Sequence, residues 1–137
     1  MDPITRIDTV KLAERWNPFV QTVWVTMKTP VRRWEIEKAL RLDNLLSPEA
    51  PKPPALFGLW DLSPRKDHIG RIAWFVRNFD DTFPIEVDFG IPSWGIPLCL
   101  RDGNHRLAAA LFIEKPFINA NCAGAIHEIE KMTYSLK

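Results

Sequence analysis

Between Leu107 and Ile113 the chain runs Leu-Ala-Ala-Ala-Leu-Phe-Ile without a polar side chain. A helix that is apolar on every side must be covered on every side, so any fold of this chain has to place the segment inside, with Ala108, Ala109 and Ala110 permitting close approach to a sheet. The residues that feed it are Asp102-Gly103-Asn104-His105-Arg106, and before them Ile96 to Leu100 reads as a strand. With 137 residues, 46% of them hydrophobic, the chain is long enough for one domain with a real core.

The other elements follow from periodicity and punctuation. Phe83 to Phe89 alternates apolar and acidic residues as a half-buried strand does, and the Gly/Pro-punctuated stretch from Gly90 to Pro97 joins it to the strand from Ile96 to Leu100 as a hairpin. Ile69, Ile72, Ala73 and Val76 fall at i, i+3, i+4 and i+7, one face of a helix that begins near Ser63-Pro64. Phe117 to Ala125 is a last apolar strand, and the charged tail from His127 to Lys137 a surface helix or frayed end. Upstream, Phe19 to Met27 is rich in β-branched and aromatic residues and predicts a strand. Thr29 as cap and Pro30 at the first helical position predict a helix that ends around Leu46, with Ile36, Ala39, Leu40 and Leu46 near one face. Ser47 to Pro54 holds four prolines in eight residues and must be an extended, stiff connection, after which Leu56 to Leu62 reads as a short strand. Residues 1–18 are mixed and close at the Asn17-Pro18 turn.

Chemistry concentrates where the hairpin's return strand meets the buried helix. The first amides of a helix lack intrahelical partners and carry partial positive charge, so the turn feeding them suits an anion. Gly103 lets backbone approach a phosphate, Arg106 adds a forked cationic donor, and Asn104 and His105 add side-chain donors. A diphosphate or triphosphate fits such a turn. The plainer alternative is an N-cap and a turn glycine, which serve the helix alone.

Arg101-Asp102-Gly103-Asn104-His105-Arg106-Leu107-Ala108-Ala109-Ala110 resembles the Gly-x-x-Arg box of ParB-like and sulfiredoxin-like proteins. Leu62-Ser63-Pro64-Arg65, the helix from Ile69 to Val76 and Pro84-Ile85-Glu86-Val87 precede it in the order that superfamily uses, so the resemblance spans roughly residues 56–125. It implies an α/β (α+β) fold, a small mixed sheet with packed helices. The layout expected is a nucleotide-binding core over 56–125, an N-terminal extension of strand plus helix over 1–50 packed on it, and a tail over 126–137. Gly103, Asn104, Arg106 and Arg65 are then the phosphate-binding residues, Asp102 and His105 the catalytic ones, and Asp102 a ligand for magnesium. The cofactor expected is a nucleoside triphosphate, ATP or CTP, with hydrolysis, phosphoryl transfer or nuclease action on DNA as the reaction class. Two departures narrow this. Asn104 stands where a sulfiredoxin carries its reactive cysteine, and an amide cannot replace a thiol nucleophile. Only about a dozen residues follow the last strand, too few for the helix-turn-helix and dimerisation domains of a partitioning ParB. The alternative is a standalone binding module without catalysis, of a size phages or plasmids could encode, that inhibits or recruits a macromolecular partner.

Remaining residues are read more plainly. Arg65, Lys66, Asp67 and His68 form either a second ligand-facing loop or an ordinary charged helix start. His68 and His127 show no metal-like spacing; Asp88 could join Asp102 around a phosphate-bound magnesium, but it reads first as a solvent-facing residue on a half-buried strand, which leaves Asp102 the better candidate. Cys99 and Cys122 are expected as buried, reduced thiols. Of six tryptophans, Trp60 and Trp74 are expected in the core, while Trp16, Trp24, Trp34 and Trp94 include candidates for stacking a base or anchoring a protein partner. Arg32, Arg33, Lys38 and Arg41 give the first long helix a basic side, but a net charge of +1 supplies no overall field for DNA. The opening residues carry acids and lack an apolar run, and no stretch reaches the roughly 18 to 20 apolar residues of a membrane span, so the expectation is a cytoplasmic protein with no membrane partner.

Overall fold

The computed structural model describes residues 4–53 and 61–135. The strand expected over Leu56 to Leu62 falls, but for its last two residues, outside the described residues, as does Trp60. What is described is a mixed α+β fold of five helices and one four-stranded mixed sheet. The elements are β1 (Ile4–Asp8), α1 (Thr9–Ala13), α2 (Arg33–Arg41), α3 (Arg65–Arg77), β2 (Ile85–Asp88), β3 (Cys99–Asp102), α4 (Asn104–Phe112), β4 (Phe117–Ala123) and α5 (Ile126–Met132).

The strands lie in the order β1-β4-β2-β3. β2 and β3 form the expected antiparallel hairpin, with Val87 opposite Leu100, and β4 runs parallel to β2, with Ile85 opposite Ala120. β1 pairs antiparallel to β4, Ile7 facing Ile118, an element the sequence reading does not contain. The tail then covers β1: Ile7 bridges to Thr133, and Tyr134 N donates to Arg6 O at 2.8 Å. Inward residues of these strands are fully or nearly fully buried, whereas Cys99, an outward position on edge strand β3, is exposed. The expectation that both thiols are buried thus fails for Cys99, because alternation sends Leu98 and Leu100 inward and Cys99 out.

α4 explains the apolar run that constrained the fold. Leu107 and Ala110 face the sheet and join Ile85, Val87, Leu100 and Ile118 in one core. Ala108 and Ala109 face the other way, packing with Ile72 and Ala73 of α3 and Ile36 and Ala39 of α2 in a second core. The helix is the middle of three layers: Leu107 and Ala110, one turn apart, serve the sheet, and Ala108 and Ala109 between them serve the other helices. Burying Leu107 completely is worth about 2 kcal/mol.

Two upstream expectations are corrected. Phe19 to Met27 is not a strand but a series of turns, opened where Asn17 O accepts from Val20 N and Gln21 N and closed where Met27 N donates to Trp24 O. These residues join no ladder; β1 takes the edge of β4, and Trp24 and Met27 are buried against the helices instead. α2 begins at Arg33, three residues after Pro30, with Arg32 N donating to Glu35 Oε1 at 3.0 Å, because the carbonyls of Thr29 and Pro30 are claimed by Arg65. It ends at Arg41, not Leu46: Asp43 takes a positive φ of 57°, and Leu46 N donates to Gly70 O instead. Among the described residues no helix is long and apolar enough to cross a membrane.

Candidate functional site

β3 delivers the chain to Gly103, which adopts φ 105° as the cap of α4, and no side chain caps the helix's first amides. A Cβ at this position would meet Ile85 Cγ2 at 2.4 Å and Ile85 Cα at 3.2 Å, so both the left-handed conformation and the close pass over β2 require glycine. Gly103→Ala is expected to cost about 2–4 kcal/mol, adding left-handed strain to overpacking against Ile85. Urea denaturation measures it; a midpoint like that of the unmodified protein would show that the turn relaxes freely.

The turn opens onto a cleft of about 610 Å³, which Asp102, Gly103, His105 and Arg106 line from one side. Opposite them α3 contributes Arg71, Trp74 and Phe75, and the proline-rich segment contributes Pro48, Glu49 and Lys52. Trp74, expected in the core, is half-buried and forms part of this wall.

Arg71 is the residue the sequence reading missed. Its side chain is fully buried, with Nη1 donating to Ser63 Oγ at 3.1 Å and Nη2 reaching Ala50 O at 3.5 Å. Among the described residues its Nε has no acceptor and no carboxylate pairs with it. A buried cation without an anionic partner costs several kcal/mol. The available signal was positional: His68, Arg71 and Phe75 lie at i, i+3 and i+7, beside the apolar stripe of Ile69, Ile72 and Val76.

Arg106 also faces the cleft, but most of its guanidinium is engaged. Nη1 donates to Phe83 O at 2.8 Å and Pro84 O at 3.0 Å, and Nη2 pairs with Asp102 Oδ2 at 3.1 Å. It therefore clamps the segment entering β2 onto the turn as well as contributing charge. Asn104 points elsewhere: its Oδ1 accepts from Trp16 Nε1 at 2.8 Å, tying the N-terminal extension to α4. Arg65 is not brought to the cleft. It holds Glu35 through Nε at 2.9 Å and Nη2 at 2.5 Å and bonds Thr29 O and Pro30 O, and its hydrogen bonds, helped by its charge, keep the Glu35 carboxyl below the usual range.

His105 is half-buried beneath the cleft and paired with buried His68, His68 Nδ1 lying 2.9 Å from His105 Nε2. Trp24 stacks on both rings, at 4.6 Å from His68 and 4.8 Å from His105. Burial holds both imidazoles low, His68 to about 4 and His105 to about 3, with the Arg71 charge acting in the same direction. At neutral pH His105 is therefore an uncharged hydrogen-bonding group rather than a base poised for proton transfer.

Asp102 is largely exposed at the mouth of the cleft. Asp88 is not beside it, being paired with Arg101 at 3.2 Å and accepting from Gly90 N toward the far end of the hairpin. Among the described residues no group of three or more His, Cys, Asp or Glu side chains gathers to hold a metal. Magnesium would fit here only as an ion carried on phosphate oxygens, with Asp102 as a protein ligand. Compared with models of protein families, with curated proteins and with solved structures, the chain shows no match.

Proposed function

We propose that the cleft binds the phosphate groups of a nucleotide. The observation that carries this reading is Arg71, a buried guanidinium with an unmet Nε, lining the same cavity as the uncapped N-terminus of α4. Two positive features that lack anionic partners among the described residues converge on one space, and a polyphosphate supplies charge and acceptors to both. The likeness of Asp102 to Arg106 to the ParB-like and sulfiredoxin-like box supports the same ligand class. For the rest of the ligand the cleft offers an aromatic wall of Trp74, Phe75 and the exposed ring of Phe83, against which a base can stack.

In this reading Arg71, the α4 amides and Arg106 hold phosphates, and His105 donates or accepts a hydrogen bond without changing charge. Asp102 would orient a phosphate-bound magnesium ion, whose contribution is to neutralise charge on the phosphates. A nuclease or phosphotransferase uses the same parts. The low proton affinity of His105 favours a second reading, a binding module that holds a nucleotide without turning it over, with exposed Trp34 and Trp94 open to a macromolecular partner.

Thermal unfolding with ATP, CTP or inorganic triphosphate, with and without magnesium, tests the proposal. A ligand at about 100 times its Kd stabilises by about 2.7 kcal/mol, a shift of several degrees. Saturable stabilisation with phosphate release assigns an enzyme, and stabilisation without release assigns the module. No shift with any polyphosphate at millimolar concentration overturns both.

A further inference from the structure

The histidine pair beneath the turn contains more than burial requires. With both rings neutral, one hydrogen lies between His68 Nδ1 and His105 Nε2, and either ring can own it. His68 Nε2 is buried and has no hydrogen-bond partner among the described residues, which makes the two choices unequal. If His105 owned the shared hydrogen, His68 would carry its own on Nε2, a buried N–H donor with no acceptor at hydrogen-bonding distance among the described residues, an arrangement native proteins rarely tolerate. If His68 Nδ1 donates, only a bare lone pair is left inside, and His105 must carry its hydrogen on Nδ1.

We propose that His68 is a positioning residue: by donating to Nε2 of His105 it fixes that ring as the Nδ1–H tautomer, so that His105 offers the cleft a neutral donor for an anionic ligand. His105 lines the cleft, its Nε2 is turned to His68, and Nδ1 is the ring nitrogen left for a ligand. Trp24 stacks within 22° of the plane of His68 and 20° of that of His105, and so limits rotation of either ring. The charged groups that act on the pair are Arg71 of α3 together with Lys52 and Asp61 of the adjoining segments, of which Lys52 and Asp61 pair at 3.4 Å, and the backbone of Ser63 adds a contact that favours a hydrogen on the His68 ring. Arg71, left as the unpaired cation, disfavours a second positive charge on the rings. A donor that stays uncharged therefore complements a guanidinium that is always charged, and the ligand meets the same hydrogen-bond pattern across the neutral pH range.

The inference rests on the phosphate reading for the ligand but not for the tautomer, and the two are measured separately. Long-range nitrogen–proton NMR of the histidine rings in the unliganded full chain is expected to show His105 protonated at Nδ1. His68→Leu, which removes the donor, should release His105 to the Nε2–H form and weaken binding of inorganic triphosphate roughly tenfold or more. His68→Asn, whose amide nitrogen stands close to where Nδ1 stood, should restore the Nδ1–H signature and most of the affinity, a rescue that a space-filling role would not give. Should His68→Leu fail to fold, the unmodified protein and His68→Asn still decide. An Nε2–H signature for His105 in the unmodified protein, or an unchanged tautomer and affinity in His68→Leu, overturns the proposal. The expected signatures with no triphosphate binding by any form would instead remove the phosphate reading and the donor's assigned use, leaving the tautomer assignment standing.

Discussion

Arg71→Met is expected to leave the unliganded protein as stable as before, or more stable by about 1–3 kcal/mol, while lowering its affinity for nucleotide or triphosphate about 100-fold. The two effects have one cause. Arg71 holds a full charge inside the protein on the strength of one good hydrogen bond to Ser63 and a long one to Ala50, with Nε unmet. Methionine keeps most of the stem's packing and removes the charge, so the desolvation cost disappears together with the ligand's strongest partner. The outcome separates Arg71 from two other arginines. Arg106→Ala would release Phe83 O and Pro84 O along with any phosphate, so lost binding there cannot be told from a loosened turn. Arg65→Met would break the Glu35 pair and lower stability, with no change in the ligand-induced shift, since Arg65 lies outside the cleft. Chemical denaturation and calorimetric titration measure the two quantities. An Arg71→Met protein that binds triphosphate as before, or that unfolds without it, would mean that Arg71 serves the fold and not a ligand.

What the sequence disclosed follows a physical boundary. α3, α4, the β2–β3 hairpin and β4 were legible because each carries its own periodicity and punctuation: 69, 72, 73 and 76 on a helix, alternation through 85–88, an apolar run at 107–113. β1 was not, because Ile4 and Ile7 among charged neighbours make a strand only when β4 offers an edge. Phe19 to Met27 is the converse, a segment with strand-like composition that pairs with no strand, since composition describes fitness for a half-buried surface and not the presence of a partner.

The site divides along the same line. Gly103 was legible, as its conformation is a local demand, and the turn opens onto the cleft with Asp102, His105 and Arg106. Arg65 and Arg71 could not be sorted, because their difference lies in partners far along the chain: Glu35, thirty residues upstream, satisfies one. No described carboxylate reaches the other. The spacing of His68 marks no metal site and leaves open whether it belongs to a ligand-facing loop or a helix start; what matters is the ring of His105, which tertiary packing alone brings to 2.9 Å.

Because that packing holds two imidazoles neutral, the protein is expected to lose stability in mild acid, beginning below about pH 6.5. Above that pH both histidines are uncharged in the folded and the unfolded chain, and they contribute no pH dependence. Below it the unfolded chain takes up protons near the ordinary value of 6.5, while the folded pair does not until about 4 for His68 and about 3 for His105. The unfolded state binds more protons throughout that interval, so stability falls as pH falls, by about 1.4 kcal/mol per pH unit for each histidine. Glu35 and Asp61, whose folded values are also depressed, add a loss of the same sign only below their ordinary values of 4.5 and 3.8. The interval between pH 6.5 and 4.5 therefore reports the histidines among these groups, and urea denaturation across it should show a slope approaching 2.7 kcal/mol per unit. Replacing His68 with asparagine removes one of the two titrating rings and should halve that slope. A flat profile between pH 6.5 and 4.5 would mean that the rings are protonated as easily in the folded protein as in the unfolded chain, and the buried neutral pair beneath the turn would have to be abandoned.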